Sequence, residues 1–356
     1  MKFFLKYLVY FLFLMIVISE LNAQRPNTKN IAIPYIQWPI QPLEENIELY
    51  RSTIVNKSTI FYNPISKLKL EGYKETVYMN DADLEIKFVI NAISFSSYIN
   101  KELYDKKIND STYVKAEGGR YMVESRINYS EYVTDIKNNI ELISNEGIIR
   151  RNSLSSGFIK NYIELVNLYK NRRDRDAIAL SGNIINASIN SFHYNLNNNF
   201  GFPLYTYYMP FARGKGRKFN YSDLKKAFDD FKSVSQMTYR TYKNSDRFKE
   251  GYFNDNMKNK ILKKLNNCIE IWENAIKEYI PNKRKTRIGD KIIDHLYLNL
   301  SAAQFMKTSI NNNFDLVYKN LSKVKMNKGE IKKANNFEDK MIDLQDRINI
   351  NLKNHE

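Results

Sequence analysis

Residues 83–90 read DLEIKFVI and carry the clearest secondary-structure signal in the chain. Apolar and charged side chains alternate along this stretch. One face carries Leu84, Ile86, Phe88 and Ile90, and the other carries Asp83, Glu85 and Lys87. Alternation with a period of two is typical of a strand that has one face buried and one face in water. The stretch therefore predicts a half-buried β-strand.

The same alternation recurs on both sides of this strand. It covers residues 47–55, 67–78 and 120–133, and turn-forming glycine and asparagine residues separate these segments. A helix at residues 97–107 is expected to interrupt the strands. Prolines indicate an extended lead-in or an edge strand before them, at Pro26, Pro34 and Pro39. We therefore predict a mostly antiparallel β domain at residues 28–152.

After residue 152 the apolar spacing changes to that of helices. One stripe consists of Phe158, Tyr162, Val166 and Tyr169, and a second of Ile178, Ile185, Ile189 and Phe192. Ser222-Asp223 can cap a further helix. Four more helices are predicted, at residues 254–280, 286–308, 313–325 and 329–352. Residues 205–211, YTYYMPF, form either a linker or a short strand. The predicted fold class is α+β, with an all-helical domain at residues 153–352 after the β domain.

Composition limits the class of protein. The 356 residues are 43% hydrophobic and 26% charged, which is ordinary for a folded chain and long for a single core. Cys268 is the only cysteine, so no internal disulfide can form. The net charge of +16 favours anionic partners. Because Lys, Asn, Ile and Tyr are abundant together, an AT-rich coding bias explains this charge better than selection for an anionic ligand does.

Residues 1–23 have the pattern of a secretory signal peptide. Lys2 and Lys6 give a positive start, residues 7–18 are uncharged and apolar, and Ala23 is a small residue at the exit. A membrane anchor is the alternative, but a spanning helix needs about 20 apolar residues, and Glu20 interrupts this run earlier. We expect cleavage after Ala23 and export to the periplasm, the cell surface or the medium. A mature chain that does not span the membrane is expected, and nucleic acid is not an expected partner.

A short passage of the helical half resembles tetratricopeptide (TPR) repeats. Residues 268–276 read CIEIWENAI and are followed by Pro281-Asn282. Cys268, Trp272 and Ala275 occupy the small–aromatic–small positions of the second repeat helix, although Pro281 comes one residue late. Residues 296–305 and 314–324 are similar to a further helix pair with a longer loop. The resemblance implies closely packed helices that present a concave binding surface. An unrelated antiparallel helix bundle is the alternative.

A second resemblance lies in the β-rich half. Residues 71–74, EGYK, and residues 80–86, NDADLEI, resemble exported envelope proteins of Gram-negative bacteria of unknown function. Those proteins pair a small β domain with a helical tail. The resemblance implies an accessory protein of the periplasm or the cell surface.

No pattern of catalytic, cofactor-binding or metal-binding residues is recognisable. The three histidines, His193, His295 and His355, lack the spacing of a zinc site. Asp81, Asp83 and Glu85 could begin a calcium loop, but Ile86 stands where that loop needs glycine and Ala92 where it needs its bidentate acid. No Gly-x-Ser-x-Gly elbow is present, and we interpret Cys268 as a structural residue. We therefore predict no catalytic residue, no cofactor and no metal.

The strongest candidate binding motif is the basic, glycine-containing stretch RGKGRK at residues 213–218. Its four cations are Arg213, Lys215, Arg217 and Lys218. Glycines allow backbone N–H groups to converge on an oxyanion while the cations attract it. A solvated loop is the alternative. Two more basic clusters, at residues 172–175 and 283–287, would strengthen an anion-binding interpretation only if all three shared one face.

These observations leave three functional hypotheses. The leading one is a non-catalytic, exported accessory or scaffold protein of the cell envelope that binds a protein or peptide through its helical half. The first alternative is a surface protein that binds acidic glycans or lipid headgroups through residues 213–218. The second is a hydrolase of unfamiliar type, because acids that are distant in sequence can meet in space.

Overall fold

The computed structural model describes residues 27–60, 64–154, 156–214, 219–244, 255–283, 286–311 and 314–353. The predicted signal peptide lies outside these residues. In chain order the elements are β1 (Thr28–Ile36), β2 (Leu49–Asn56), β3 (Lys74–Glu75), β4 (Leu84–Lys107), β5 (Tyr113–Asp135), β6 (Ile140–Leu154), α1 (Tyr162–Asn199), β7 (Leu204–Ala212), α2 (Ser222–Asn244), α3 (Asp255–Lys277), α4 (Asp290–Asn311), α5 (Asp315–Leu321) and α6 (Lys328–Lys353). The chain is therefore α+β.

The chain divides into two compact units. The sheet unit is Gln41–Gly201, and the helical unit combines the described parts of Met1–Ile40 and Phe202–Glu356. The domain bounds expected from the sequence, residues 28–152 and 153–352, differ from this division at both ends. Strand β1 packs with the helices that follow the sheet unit, whereas helix α1 packs on the sheet before it.

The sheet unit is a five-stranded sheet in the order β3-β2-β4-β5-β6. Strand β2 runs parallel to its neighbours β3 and β4, and β4, β5 and β6 are antiparallel. The half-buried strand predicted at residues 83–90 is confirmed, because Leu84, Ile86, Phe88 and Ile90 are all fully buried. The helix expected at residues 97–107 is wrong. Strand β4 continues to Lys107 because β5 pairs with it residue by residue along that length.

Helix α1 covers one face of this sheet. Its 38 residues include both apolar stripes predicted after residue 152, apart from Phe158, and no glycine or proline separates the stripes. They form one continuous helix for that reason. Asn161 caps the N-terminus of the helix, and its side chain accepts the N–H of Ile163 (3.0 Å) and the N–H of Glu164 (3.4 Å). Toward its C-terminal end, Ile185, Ile189 and Phe192 pack on the buried face of β4.

The helical unit is not all-helical, which corrects the sequence prediction. Strands β1 and β7 pair antiparallel along their whole length, from Thr28 opposite Ala212 to Ile36 opposite Leu204. Residues 205–211 therefore lie in a strand, one of the two alternatives left by the sequence. We call this pair of strands the β1–β7 ribbon.

In the described part of this unit, five helices pack around or beside the β1–β7 ribbon. The helices predicted at residues 254–280, 286–308, 313–325 and 329–352 are confirmed as α3, α4, α5 and α6, with small shifts of their ends. Helix α4 is buried on nearly all sides, with Leu296, Leu300 and Ala303 in the core. A helix with so few exposed residues lies in the middle of a bundle. Helix α4 is thus the centre of this unit.

Candidate functional site

The structure describes only the first cation of the predicted anion-binding stretch. Lys215, Arg217 and Lys218 lie outside the described residues. The backbone N–H of Arg213 donates to the carbonyl of Asn27 at 3.0 Å, and its guanidinium lies 4.9 Å from the ring centre of Phe228. Its Nε is buried and has no hydrogen-bond partner within the described ranges. Arg213 is therefore anchored by a cation–π contact.

Gly214 follows it with a left-handed φ of +69°. A Cβ at this position would lie 2.2 Å from the ring of Tyr221. Both the backbone conformation and the lack of space demand glycine here. The glycine thus has a local structural reason that is independent of any bound anion.

Cations of the other two basic clusters are paired with carboxylates. Arg287 donates from Nη1 to both carboxylate oxygens of Asp223 at 2.8 Å and from Nε to Glu278 at 2.7 Å. Hydrogen bonding to Glu278 is the largest effect that raises the pKa of Arg287. Since its charge is balanced locally, Arg287 adds little attraction for an external anion.

In the cluster at residues 172–175, Arg172 and Arg175 each lie 3.7 Å from Asp176, and Arg173 lies 3.5 Å from Asp174. These three arginines and Arg287 are therefore not free cations. Arg284 and Lys285 lie outside the described residues.

The predicted helix seam lies on the buried side of α3. Cys268, Trp272 and Ala275 are at most 1% exposed. The Cys268 thiol donates to the carbonyl of Ala227 on α2 at 3.3 Å, and burial raises the pKa of this thiol to about 12. The Trp272 ring lies 5.9 Å from the ring of Phe231 on α2 and 5.9 Å from that of Phe211 on β7. The thiol therefore stays protonated at neutral pH and serves packing rather than nucleophilic chemistry.

The β1–β7 ribbon packs against one face of α2 and one face of α4. The hydroxyl of Ser235 donates to the carbonyl of Ala32, and Asn299 Nδ2 donates to the carbonyl of Ala212 at 3.3 Å. Tyr35 meets Phe305 edge-on, with 6.0 Å between ring centres. A partner of the helical unit must therefore use other helix faces.

The two described histidines are engaged in structural contacts. His193 Nδ1 accepts the backbone N–H of Lys69 at 3.2 Å, and burial lowers the pKa of this histidine. His295 Nδ1 lies 3.4 Å from Glu330 Oε2, and burial lowers its pKa as well. Both rings therefore favour the neutral form. His355 lies outside the described residues.

The buried carboxylates of Asp294 and Asp83 hold backbone segments, and sequence reasoning missed both roles. Asp294 is 0% exposed and accepts the N–H groups of Lys325, Met326 and Asn327 at 2.7–3.1 Å. The sequence did carry a signal for the role of Asp294, because this acidic residue lies in the mostly apolar stretch IIDHLYL. The carboxylate fixes the turn that enters α6.

Asp83 corrects the expectation of a water-facing side chain, because it is only 8% exposed. It accepts the N–H groups of Glu48 (2.7 Å) and Leu49 (2.8 Å) and forms an ion pair with Lys137 at 2.8 Å. Burial alone would raise its pKa, but the hydrogen bonds from Lys137 and the two N–H groups outweigh burial and lower the pKa. Its neighbour Glu85 pairs with Lys87 at 3.0 Å.

Across the described ranges, no three side chains of His, Cys, Asp or Glu are grouped closely enough to hold a metal ion. None of the helices in the described part of the chain combines the length and the apolar character needed to cross a membrane. No known protein family and no curated protein matches the chain.

Proposed function

We propose that this chain is a non-catalytic, exported accessory protein of the cell envelope that binds a protein or peptide partner through its helical unit. The observation that carries the proposal is the packing of α2, α3 and α4 as consecutive neighbours, followed by α5 against α4. Stacked helices of this kind make scaffolds whose outer faces are free to vary.

The TPR-like part of the proposal rests on the seam rather than on repeat length. Helices α4 and α5 together span Asp290–Leu321, close to the period of about 34 residues of that repeat. Helices α2 and α3 together span Ser222–Lys277, which is much longer. The likeness therefore concerns the small and aromatic residues at which α3 meets α2.

The titratable groups most suited to chemistry support a binding role, because they already serve the fold. Asp294 and Asp83 hold backbone N–H groups, and His193 holds the segment at Lys69. The thiol of Cys268 is buried and protonated. Each of these groups would have to abandon a structural contact before acting on a substrate.

Exposed apolar side chains on the helical unit are the positions at which to look for the partner. Four of them are Tyr239 on α2, Ile280 after α3, Leu316 on α5 and Ile342 on α6, each 40–47% exposed. A photo-crosslinking amino acid placed singly at these positions in the source organism should form an adduct with one and the same partner. The matched controls are Val77 and Leu103 of the sheet unit, 78% and 68% exposed, which should give none.

The same cells test export. N-terminal sequencing of the envelope fraction should find the chain starting at Gln24. Adducts at the control positions alone, or an uncleaved chain in the cytoplasm, would refute the proposal.

A second candidate is binding of acidic glycan or lipid headgroups near residues 213–218. Its specific support is the buried Nε of Arg213, which lacks a hydrogen-bond partner within the described ranges. Replacing Arg213, Lys215, Arg217 and Lys218 by Gln should lower the salt concentration that elutes the chain from an anionic matrix. The control replaces Lys258, Lys260, Lys263 and Lys277 of α3 by Gln, which removes equal charge elsewhere. Equal shifts for both sets would eliminate this candidate.

A further inference from the structure

Strand β6 is an edge strand with one side unpaired. It is last in the order of the five-stranded sheet, and within the described residues only β5 pairs with it. It is 15 residues long. A long edge presents unpaired N–H and C=O groups that can template another strand, and proteins usually shorten or cover such edges. The β6 edge is therefore a potential protein–protein contact.

The side chains on one face of β6 are exposed and ordered by charge. Glu146, Ile148 and Arg150 alternate along the strand and so share a face. Ile148 is 59% exposed, whereas the next residue, Ile149, lies opposite the buried Ile127 on the other face. The exposed face thus reads acid, apolar, base from N- to C-terminus.

This pattern is complementary to itself. When two copies pair antiparallel with Ile148 opposite Ile148, each Glu146 lies opposite the Arg150 of the other copy. Shifting the centre to Glu146 or to Arg150 would place that residue opposite its own copy, and like charges directly opposite one another are destabilising. Of these alignments, only the one centred on Ile148 satisfies both charges.

The sheet also leaves room for a second carboxylate at Arg150. Arg150 pairs with Glu124 at 2.7 Å, but Arg126 lies directly opposite Arg150 on β5. Arg126 therefore adds a second positive charge beside the one carboxylate that Arg150 contacts. Glu146 lies opposite Ser130 and forms no ion pair with any described residue. The Glu146 of a second copy would supply the missing negative charge.

We propose that β6 forms the interface of a two-fold symmetric homodimer, in which two copies of the chain join their sheets edge to edge with Ile148 at the centre. Such an interface uses the same patch twice, as closed dimers do. The proposal goes beyond the binding function proposed above and does not depend on it, because that function concerns the helical unit and another protein.

Disulfide cross-linking tests the alignment. Directly opposite residues of antiparallel strands have Cα atoms about 4.5–5.5 Å apart, which is within disulfide range. Under mild oxidation, Ile148→Cys in the chain starting at Gln24 should give a covalent dimer. Ser144→Cys is the control on the same face, and its two copies would lie roughly 27 Å apart. Cys268 is buried and gives no background. Cross-linking of both variants alike, or of Ser144→Cys alone, would overturn the proposal.

A charge exchange tests the contact itself. Analytical ultracentrifugation should find the unaltered chain dimeric, and Glu146→Arg or Arg150→Glu alone should raise the dimer dissociation constant roughly tenfold or more. Mixing the two variants should restore a dimer, because in the mixed pair every acid again faces a base. An exposed ion pair contributes little to folding, so circular dichroism should show both variants folded. The interface would be refuted if the chain were monomeric at about 100 μM, or if neither substitution changed the dimer dissociation constant.

Discussion

The sheet unit is built from one uninterrupted piece of chain, whereas the helical unit closes only when residues on both sides of that piece meet. Gln41–Gly201 contains every strand of the five-stranded sheet and the helix that covers it. The helical unit needs β1, which contributes the buried residues Ile31, Ile33 and Tyr35 to a core made mainly of later helices. Local sequence patterns are therefore sufficient to outline the first unit but not the second.

The largest expected effect comes from separating the two units. Residues 41–201 should fold alone, because the ends of this piece are already joined by a hydrogen bond from Gln41 N–H to the Asn199 carbonyl at 2.8 Å. Residues 202–356 alone should not fold, because losing three large buried side chains at about 2–5 kcal/mol each removes about as much as a typical total stability of about 5–15 kcal/mol. Circular dichroism and urea unfolding measure both outcomes.

A fused variant is the control for this experiment. Residues 24–40 joined to residues 202–356 by a short Gly-Ser linker should recover cooperative unfolding, since Ile36 lies opposite Leu204 at the end of the β1–β7 ribbon. Cooperative unfolding of residues 202–356 without β1 would contradict the claim that the helical unit needs β1 in order to fold.

Substitutions in the two cores should act locally. Trp272→Ala in the helical unit and Phe88→Ala in the sheet unit each remove a fully buried aromatic side chain. Each should cost about 3–5 kcal/mol. Hydrogen exchange measured by mass spectrometry should show lost protection in α2, α3 and β7 for the first variant, and in β4, β5 and α1 for the second. The exposed Tyr208→Ala and Val77→Ala variants, one in each unit, are the controls and should change little.

Particular residues show why the sequence was informative in one place and silent in another. Residues 83–90 alternate because a single sheet has one covered face, and that regularity is visible in eight consecutive residues of the sequence. The pairing of Ile33 with Tyr207 depends on chain segments separated by the whole sheet unit, and no local pattern encodes it. The length of β4 was missed because β5 supports it, whereas residues 97–107 taken alone have no clear strand pattern.

The candidate site was predictable only in part. The burial of Cys268, Trp272 and Ala275 follows from their helical spacing. The pairing of Arg287 with Asp223 and Glu278 joins three separate segments, so its charge looked available in the sequence. The alternation of Asp83 with Glu85 predicts a water-facing side chain at Asp83. Asp83 instead lies just before β4, where its carboxylate accepts the backbone N–H groups of residues 48 and 49.

Asp294 in the helical unit and Asp83 in the sheet unit are both buried carboxylates that hold backbone N–H groups, and the two should differ in strength. Asp294→Asn leaves backbone donors near α6 without a charged acceptor in a fully buried place, and we expect a loss of roughly 3 kcal/mol. Asp83→Asn should cost about 1–2 kcal/mol, because Lys137 can turn to water. Urea unfolding measures both changes. Equal losses would show that the greater burial of Asp294 has no energetic consequence.

The smallest expected effect concerns pH and the histidine of the sheet unit. His193 Nδ1 accepts the N–H of Lys69, and Asn197 beside it accepts the N–H of Glu71 at 2.7 Å, so together they hold this segment on α1. Burial is the main cause that lowers the pKa of His193; Glu71 opposes the shift and Lys69 adds to it. Because the folded pKa lies below the unfolded value of about 6.5, the contact stabilises fully above that pH and is lost as the pH falls toward the folded pKa.

His193→Asn places an amide oxygen near the position of Nδ1 and removes the titration. Between pH 7.5 and 5, the protection factors of the backbone amides at residues 66–71, which correct for the fall in the intrinsic exchange rate, should decrease in the unaltered chain by an amount corresponding to at most about 1 kcal/mol, the net contribution of one hydrogen bond. The variant should lack this decrease. His295→Asn, in the helical unit, is the matched control and should leave exchange at residues 66–71 as it is in the unaltered chain. If His193→Asn keeps the full pH dependence, the segment is held by Asn197 alone and the ring of His193 only fills space.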